Sequence, residues 1–130
     1  MSWQAYVDQS LVGTGNIDKA IICDASGKTI WAATTGFSIP EAERKVIVDS
    51  FTDSAETKAV VANGIHINGE KYITLDSDDT SLKAKKGKEG IIVIKTTQAL
   101  LIGHHPADVQ TTVAYSSVAE LAEYLVKVGY

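Results

Sequence analysis

Two short strand-forming runs joined by Asn68-Gly69 are the feature that most constrains the fold of this chain. The runs are residues 65 to 67 (IHI) and residues 71 to 75 (KYITL). An Asn-Gly pair suits a type I′ turn, because both central residues of that turn take positive φ and its twist matches that of the strands. The sequence therefore predicts an antiparallel hairpin here, and with it a fold built around a sheet.

Further runs have the composition of strands and are joined by short links. They are residues 17 to 24 (IDKAIICD), 28 to 33 (KTIWAA), 80 to 86, 90 to 96 (GIIVIKT) and 99 to 104 (ALLIGH). The first two are separated by Ala-Ser-Gly, and the later ones by turns too short to hold a crossover helix. The sheet is therefore expected to be mostly antiparallel.

The two ends of the sequence have the spacing of amphipathic helices. Ser2 is a suitable N-cap, and apolar residues follow at helical intervals over residues 2 to 12, until Gly13 and Gly15 end the pattern. The stripe at the other end consists of Val118, Leu121, Ala122, Leu125 and Val128. It predicts a helix over residues 112 to 128.

The middle of the sequence predicts two shorter helices. Residues 38 to 41 (SIPE) have the form of a capping box with proline in the first turn, which predicts a helix over residues 40 to 51. A second helical segment, residues 55 to 62, ends at Asn63-Gly64, a pair that suits left-handed backbone at a helix C-terminus.

Together these elements predict an α/β (α+β) fold with a central, mostly antiparallel sheet. The N- and C-terminal helices are expected on one face of the sheet and the middle helices on the other. With 130 residues, the chain fits a single domain over residues 1 to 130, whose core is large enough to fold without disulfides or metal ions.

The composition indicates an intracellular protein. Its net charge of −4 argues against bulk, non-specific binding of nucleic acid. The single cysteine, Cys23, cannot form an internal disulfide and lies in an apolar run, which is typical of a buried thiol in a reducing compartment. The sequence has no signal-peptide pattern and no apolar run of about 18 residues. We therefore expect a protein that is neither secreted through a signal peptide nor integral to a membrane.

No motif predicts catalysis, a metal site or a cofactor. His104 and His105 are adjacent at a strand end, so their side chains are expected on opposite faces, and a structural or solvated role is favoured over metal binding. Residues 13 to 16 (GTGN) lack the further glycine and the helix of a dinucleotide-binding loop. Residues 76 to 79 (DSDD) lack the glycine and distal glutamate of a calcium loop, which favours a hairpin turn.

Aromatic residues are expected to meet on the outside of the protein. Trp3 and Tyr6 lie at the margin of the N-terminal stripe, and Tyr124 flanks the C-terminal one. Tyr130 is the last residue of the sequence, and Trp31 belongs to the second predicted strand. Any one ring alone is better explained as part of the core, but burying all of them would need wider apolar arcs than the two helices have. If the terminal helices pack side by side, the rings form one patch.

Such a patch suits a proline-rich peptide. A polyproline II helix is already extended, so it loses little entropy on binding, and its carbonyls have no internal partners. Flat aromatic faces can accept the prolyl rings while indole N–H and phenol O–H groups donate to the carbonyls. The sequence thus favours a binding module over an enzyme. The alternative left open is a small sensory or ligand-binding α/β domain in which the same rings line an internal pocket.

Segments along essentially the full chain resemble profilins, and fungal profilins in particular. They are MSWQAYVD, TIWAA, NGIHINGEKYITL, KKGKEGIIVIKTTQALLIGHHP and AELAEYLVKVGY. The resemblance implies the architecture described above. It also implies a monomer without enzymatic activity that binds monomeric actin, promotes nucleotide exchange on it and regulates its polymerisation. Proline-rich proteins such as formins and anionic phosphoinositide lipids are the other implied partners, in the cytoplasm, at the cytoskeleton and the cell cortex.

The resemblance implies three sets of binding residues. The polyproline-binding set is Trp3, Tyr6, Trp31, Tyr124, Leu125 and Tyr130. The actin-binding set, on the opposite side, is Val61, Thr74, Asp76, Lys85, Lys86, Lys95, Val109, Tyr115 and Glu120. The phosphoinositide-binding set is Lys83, Lys85, Lys86 and Lys88. A solvated hairpin explains these lysines equally well.

Three positions depart from the family pattern in the region assigned to actin. Asp76 replaces a residue that is usually basic, Ser116 replaces a common lysine and Thr112 replaces a common glycine. The first two changes remove positive charge from a face that meets acidic actin. They predict actin binding that is retained but weakened.

Overall fold

The computed structural model describes residues 2–130 and is built around one seven-stranded sheet. The strands are β1 (Lys19–Asp24), β2 (Ile30–Ala33), β3 (Ile65–Ile67), β4 (Glu70–Ser77), β5 (Ser81–Lys86), β6 (Glu89–Lys95) and β7 (Ala99–His105). Their order across the sheet is β2-β1-β7-β6-β5-β4-β3, and each neighbouring pair is antiparallel. The prediction of a mostly antiparallel sheet is confirmed.

The hairpin of β3 and β4 forms at the predicted turn. Asn68 and Gly69 have φ values of 52° and 84°, so both occupy the left-handed region that a type I′ turn requires. The carboxylate of Glu43 accepts hydrogen bonds from the backbone N–H groups of both turn residues, at 2.5 and 2.9 Å. The turn thereby sets the register in which Ile67 lies opposite Glu70.

Helices lie before, between and after the strands. The first is α1 (Trp3–Ala5), which continues as a π-helix (Tyr6–Leu11) and a 3-10 turn (Val12–Thr14), and we call this whole segment the N-terminal helix. The others are α2 (Glu41–Ser50), α3 (Ala59–Asn63) and α4 (Thr111–Lys127). The hydroxyl of Ser2 accepts a hydrogen bond from the N–H of Ala5 at 3.1 Å, which confirms the predicted N-cap.

The N-terminal helix is wider over much of its length than the α-helix predicted from the sequence. Its π-type hydrogen bonds join each N–H to the carbonyl five residues earlier, as between Val12 and Val7. Residues four or five positions apart therefore lie above one another. Val7 and Leu11 are fully buried on the inner face, and Trp3 and Tyr6 pack at its edge.

The middle helices begin later than predicted, and the proposed capping box is wrong. Pro40 is the N-cap of α2, so Ser38 lies outside the first turn and no side chain caps this helix. α3 begins at Ala59 rather than at residue 55. The carboxylate of Asp53 accepts hydrogen bonds from the N–H groups of both Ala55 and Ala59, which holds the intervening residues in a turn.

Alternating side chains of the sheet fill two cores, one on each face. Ile21 and Cys23 of β1 pack with α2 and α3, whereas Ala20 and Ile22 pack with the N-terminal helix and α4. All four side chains are fully buried. Burial raises the pKa of Cys23 to about 12, so the thiol stays protonated and unreactive. The predicted arrangement, with the terminal helices on one face and the middle helices on the other, is confirmed.

The adjacent histidines of β7 are both buried, with partners on different elements. His104 Nδ1 lies 2.5 Å from the carboxylate of Asp18, and the His104 ring packs edge-on against Tyr72. His105 Nε2 lies 3.1 Å from the hydroxyl of Thr111 at the start of α4. Both imidazoles are therefore structural groups of the interior, and neither is solvated.

Over residues 2–130, no helix combines the length and the apolar character needed to cross a membrane. The same residues contain no group of three or more His, Cys, Asp or Glu side chains arranged to hold a metal ion. Asp78, in the acidic run after β4, accepts hydrogen bonds from the N–H groups of Thr80 and Ser81, both at 2.8 Å. This run stabilises a hairpin turn, as the sequence predicts.

Candidate functional site

Aromatic rings from separate parts of the chain form one contiguous surface. The ring centroid of Trp3 lies 4.6 Å from that of Trp31, 5.0 Å from that of Tyr130 and 5.6 Å from that of Tyr6. Tyr124 joins the group through Tyr6, at 6.1 Å. Centroid distances of about 4.5 to 7 Å are favourable for aromatic pairs. We call these five residues the aromatic surface.

The aromatic surface is open to solvent. Tyr124 and Tyr130 are 49% and 41% exposed, and Trp3, Tyr6 and Trp31 are half-buried against the core below them. A group of rings that lined an internal pocket would be covered on its outer side. The arrangement therefore favours a docking surface over the pocket that the sequence left open.

Gln4 attaches the N-terminal helix to the edge strand β2. Its side-chain Nε2 donates to the carbonyl of Ala33 at 3.0 Å and to the carboxylate of Asp8 at 3.1 Å. Because Gln4 follows Trp3, and Ala33 lies two residues after Trp31, this bond joins the two segments that carry the indole rings. Sequence reasoning did not identify Gln4, since its bond to β2 spans 29 residues.

Leu125 is not part of the aromatic surface. Its side chain is fully buried and packs in the core with Val7, Leu11 and Leu121. Its central position in the apolar stripe of α4 directs it toward the sheet, whereas Tyr124 projects outward. The expectation that Leu125 contacts a ligand is therefore corrected, because this residue supports the rings from beneath.

The aromatic surface also offers hydrogen-bond donors. The pKa of Tyr6 is raised above its ordinary value, chiefly by its hydrogen-bonding interaction with the side chain of Tyr124. A phenol already keeps its proton at neutral pH with its ordinary pKa of about 10, so the hydroxyl groups of this surface are protonated there. The indole N–H groups of Trp3 and Trp31 are donors at any pH. Flat apolar faces next to donors fit a ligand that has apolar rings and unpaired carbonyls.

A second surface lies on β4 and β5. Tyr72 and Thr74 of β4 are buried, whereas Ile73 and Leu75 are 66% and 56% exposed. Ile73 pairs directly with Lys85, so these two side chains share one face of the sheet. Asp76 and Lys83 form the next pair on this face, beyond a bulge. We define the β4–β5 surface by Ile73, Asp76, Lys83 and Lys85.

Opposite charges are mixed on and around the β4–β5 surface. Asp76 lies across from Lys83 in the strand register, and Lys83 Nζ lies 4.3 Å from the centre of the Tyr115 ring on α4. Lys86 Nζ lies 2.8 Å from the carboxylate of Glu70. This hydrogen-bonded pair lowers the pKa of Glu70 and raises that of Lys86. One of the lysines that the sequence concentrates here is therefore paired with a carboxylate of the chain.

The other residues of the set that the family resemblance implies for actin are spread over several elements. Val61 lies in α3, Lys95 ends β6, Val109 precedes α4 and Glu120 lies within α4, in the groove between α4 and the N-terminal helix. All four are at least partly exposed. Thr74 is only 8% exposed, so its side chain contributes little to any contact from outside.

Sequence reasoning missed the exposed apolar residues of this region. Ile73 and Leu75 were not predicted as site residues, and neither was Val113 of α4, which is 43% exposed. The signal was present in the run KYITL, because a strand with apolar residues at successive positions exposes half of them unless both of its faces are covered. The sequence does not show that one face of β4 stays uncovered, because this depends on where α4 packs on the sheet.

Comparisons with known proteins give a consistent result. A family model described as Profilin matches residues 1–130. The chain is 40% identical over 130 residues to Profilin of Saccharomyces cerevisiae, with 100% of both chains covered. Its fold matches that of crystalline Schizosaccharomyces pombe profilin with a TM-score of 0.92, at 40% identity, covering 99% of this chain and 100% of that one. Mouse profilin IIa, solved in complex with a double repeat from the FH1 domain of mDia1, matches with a TM-score of 0.79 at 21% identity over 100% of both chains.

Alanine substitutions at two adjacent positions test how α4 divides core from surface. We expect Leu125→Ala to lower the free energy of unfolding by about 2 to 5 kcal/mol, because it leaves a cavity in the core. Tyr124→Ala should cost about 1 kcal/mol or less, because about half of that side chain is already in water. Urea unfolding followed by circular dichroism measures both. Equal losses would contradict the assignment of Leu125 to the core and Tyr124 to the surface.

Proposed function

The chain belongs to the profilin family, and from this premise we propose that it binds monomeric actin and links it to proline-rich partners such as formins. Profilins are actin-binding proteins without enzymatic activity. The observation that carries the proposal is the aromatic surface, in which Trp3, Trp31 and Tyr130 are in contact on the outside of the protein. We place the protein in the cytoplasm, at the cytoskeleton and cell cortex, as a monomer.

We assign the proline-rich ligand to the aromatic surface. Its five rings offer flat faces to prolyl rings, and their hydroxyl and indole groups donate toward carbonyls that a polyproline II helix leaves unpaired. The ligand is extended before it binds, so little of the binding free energy is lost in ordering it. The mouse profilin that shares this fold was solved with an FH1 repeat, which supports a ligand of this class.

Tryptophan fluorescence tests this assignment. Trp3 and Trp31 are the only tryptophans of the chain, so a proline-rich peptide that binds the aromatic surface should shift the emission in a saturable way. Tyr124→Ala should weaken peptide binding about tenfold or more, as expected for an aromatic side chain at the centre of an interface.

Tyr115→Ala is the matched control, because it removes a second tyrosine of α4 that contacts Lys83 and not the aromatic surface. It should leave peptide affinity unchanged. An emission shift produced by a small molecule but not by the peptide would instead favour a ligand-binding pocket. Equal effects of the two substitutions would also contradict the assignment.

We assign actin to the β4–β5 surface and its neighbours. The proposed contacts are Val61, Asp76, Lys85, Lys86, Lys95, Val109, Tyr115 and Glu120, with Thr74 beneath them. The exposed side chains of Ile73 and Val113 add apolar area to this region, and contiguous exposed apolar patches mark interaction sites. Because Tyr115 and Tyr124 lie nine positions apart on one rigid helix, the two ligands can be bound together.

Promotion of nucleotide exchange needs no catalytic group in this chain. A partner that binds an open conformation of actin more tightly than the closed one shifts the population toward the open form. Nucleotide then leaves and enters more readily. The proposed function thus requires two docking surfaces and no reactive site.

Charge at Asp76 is proposed to set the strength of actin binding. The carboxylate lies opposite Lys83 and reduces the positive potential of the surface. On α4, Ser116 replaces a lysine with an exposed hydroxyl, which donates to the carbonyl of Thr112 at 3.1 Å. Both residues therefore weaken attraction to an acidic partner.

The substitution Asp76→Lys should strengthen actin binding about two- to tenfold at low salt, because it reverses a charge at the proposed interface. Glu41→Lys on α2 changes the net charge equally but lies on the other face of the sheet, so it should have no effect. Fluorescence titration with labelled actin monomers measures both. An unmodified protein that binds as tightly as the Saccharomyces cerevisiae relative, tested side by side, would refute the weakening.

The lysines of β5 and the following turn are proposed to bind phosphoinositide headgroups. They are Lys83, Lys85, Lys86 and Lys88. Lys88 is exposed in the turn, whereas Lys86 and Lys83 already contact Glu70 and Tyr115. Lipid binding at these lysines would compete with actin, since Lys85 and Lys86 belong to both proposed sites.

Lys88→Ala should reduce binding to phosphoinositide-containing vesicles about fivefold, in line with about 1 kcal/mol for a basic residue near an anionic membrane. Lys28→Ala, an exposed lysine before β2, is the matched control and should have little effect. Vesicle sedimentation over a range of salt concentrations measures both, and binding should fall as salt rises. Absence of vesicle binding at low salt would show that the lysines are only a solvated hairpin.

A further inference from the structure

The turn between β6 and β7 holds the last residues of the chain in place. Thr96 Oγ1 donates to the carbonyl oxygen of Tyr130 at 2.6 Å, and the backbone N–H of Gln98 donates to the same oxygen at 2.5 Å. The side-chain Nε2 of Gln98 donates to the carbonyl oxygen of Gly129 at 2.7 Å. We call these three hydrogen bonds the C-terminal clamp. Thr96 is only 7% exposed, so its bond is shielded from water.

The end of α4 positions Gly129 and Tyr130 for the hydrogen bonds of the C-terminal clamp. Gly129 has a φ of 99°, which turns the chain back after the helix. The N–H of Tyr130 donates to the carbonyl of Leu125 at 2.7 Å, and the N–H of Gly129 donates to that of Val126 at 3.2 Å. This is the Schellman pattern of hydrogen bonds, and glycine suits its left-handed position. Gly129 and Tyr130 are thus fixed at both their N–H and carbonyl groups.

The fixed backbone determines the position of the Tyr130 ring. This ring meets Trp3 edge-on, with an interplanar angle of 90° and centroids 5.0 Å apart. Residues that follow a helix are mobile unless other groups hold their backbone. We infer that Gln98 and Thr96 are positioning residues for the proline-rich ligand, which act by holding Tyr130 in the geometry that the aromatic surface requires. This inference rests on the proposed polyproline-binding function.

The physical basis is pre-organisation. Without the clamp, Gly129 and Tyr130 would sample many conformations, and a ligand would have to order both residues when it binds. The cost would appear as lower peptide affinity, because the core beneath α4 does not depend on these bonds. Gln98 is exposed, so its replacement removes the bond to Gly129 without leaving a cavity.

Peptide titration of single variants provides the first test. We expect Gln98→Ala to weaken binding of a proline-rich peptide about two- to tenfold, because it removes one hydrogen bond of the clamp and leaves the two bonds to the Tyr130 oxygen in place. Thr97→Ala is the matched control, because this exposed residue lies between the two clamp residues, and it should bind as the unmodified protein does. Thr96→Val should weaken binding, whereas Thr96→Ser, which keeps the hydroxyl, should restore it.

A double substitution separates positioning from a general structural effect. If Gln98 acts through Tyr130, adding Gln98→Ala to Tyr130→Ala should cause no further loss of peptide affinity. A general structural defect would weaken binding equally in both backgrounds. The backbone amide of Tyr130 should also become mobile in Gln98→Ala, which heteronuclear NOE measurements detect, while the midpoint of thermal unfolding stays close to that of the unmodified protein.

The outcomes distinguish this inference from the function on which it rests. If the unmodified protein binds no proline-rich peptide, the proposed function fails and the positioning role fails with it. If the unmodified protein binds and Gln98→Ala binds equally well, only the positioning role is overturned. Additive losses in the double substitution would likewise overturn it.

Discussion

The packing of Trp3 against Trp31 and Tyr130 is the contact on which the rest of the site depends. It joins the N-terminal helix, an edge strand and the last residue of the sequence, at centroid distances of 4.6 and 5.0 Å. The contact is possible because both terminal helices bury their apolar stripes on the same face of the sheet, through residues such as Val7 and Leu125. The fold therefore creates the aromatic surface as a consequence of how the two ends of the chain pack.

A single helix, α4, connects the two proposed binding surfaces. Its inner face is core, Tyr115 contacts Lys83 near the β4–β5 surface, and Tyr124 belongs to the aromatic surface. The two tyrosines are separated by about 14 Å along the helix axis, at 1.5 Å per residue. Under the proposed function, a rigid element of this kind would keep two large ligands apart while both are bound. Under the proposed function, the carboxylate of Asp76, which lies opposite Lys83 in the strand register, would act on only one of the two ligands and would leave their affinities free to vary separately.

The sequence predicted the layers of the fold and the convergence of the five rings, because both follow from periodicity and from turn chemistry such as that of Asn68-Gly69. The predictions from the sequence were wrong where the contacts of one side chain override a local pattern. Ser38 is not the cap of α2, and the hydrogen bonds of Asp53 delay α3. Leu125 was assigned to the ligand from family resemblance although its own stripe directs it inward. No pattern in the sequence indicates a role for Gln98, because its hydrogen bond to Gly129 joins residues 31 positions apart.

The most direct test of the central claim is an NMR titration of the labelled protein with a proline-rich peptide. The account predicts shifts of the indole resonances of Trp3 and Trp31 and of the amide of Tyr130, with little change at Ile73 and Lys85 on the β4–β5 surface. Shifts centred on the β4–β5 surface, or no shifts at the two indoles with saturating peptide, would contradict it.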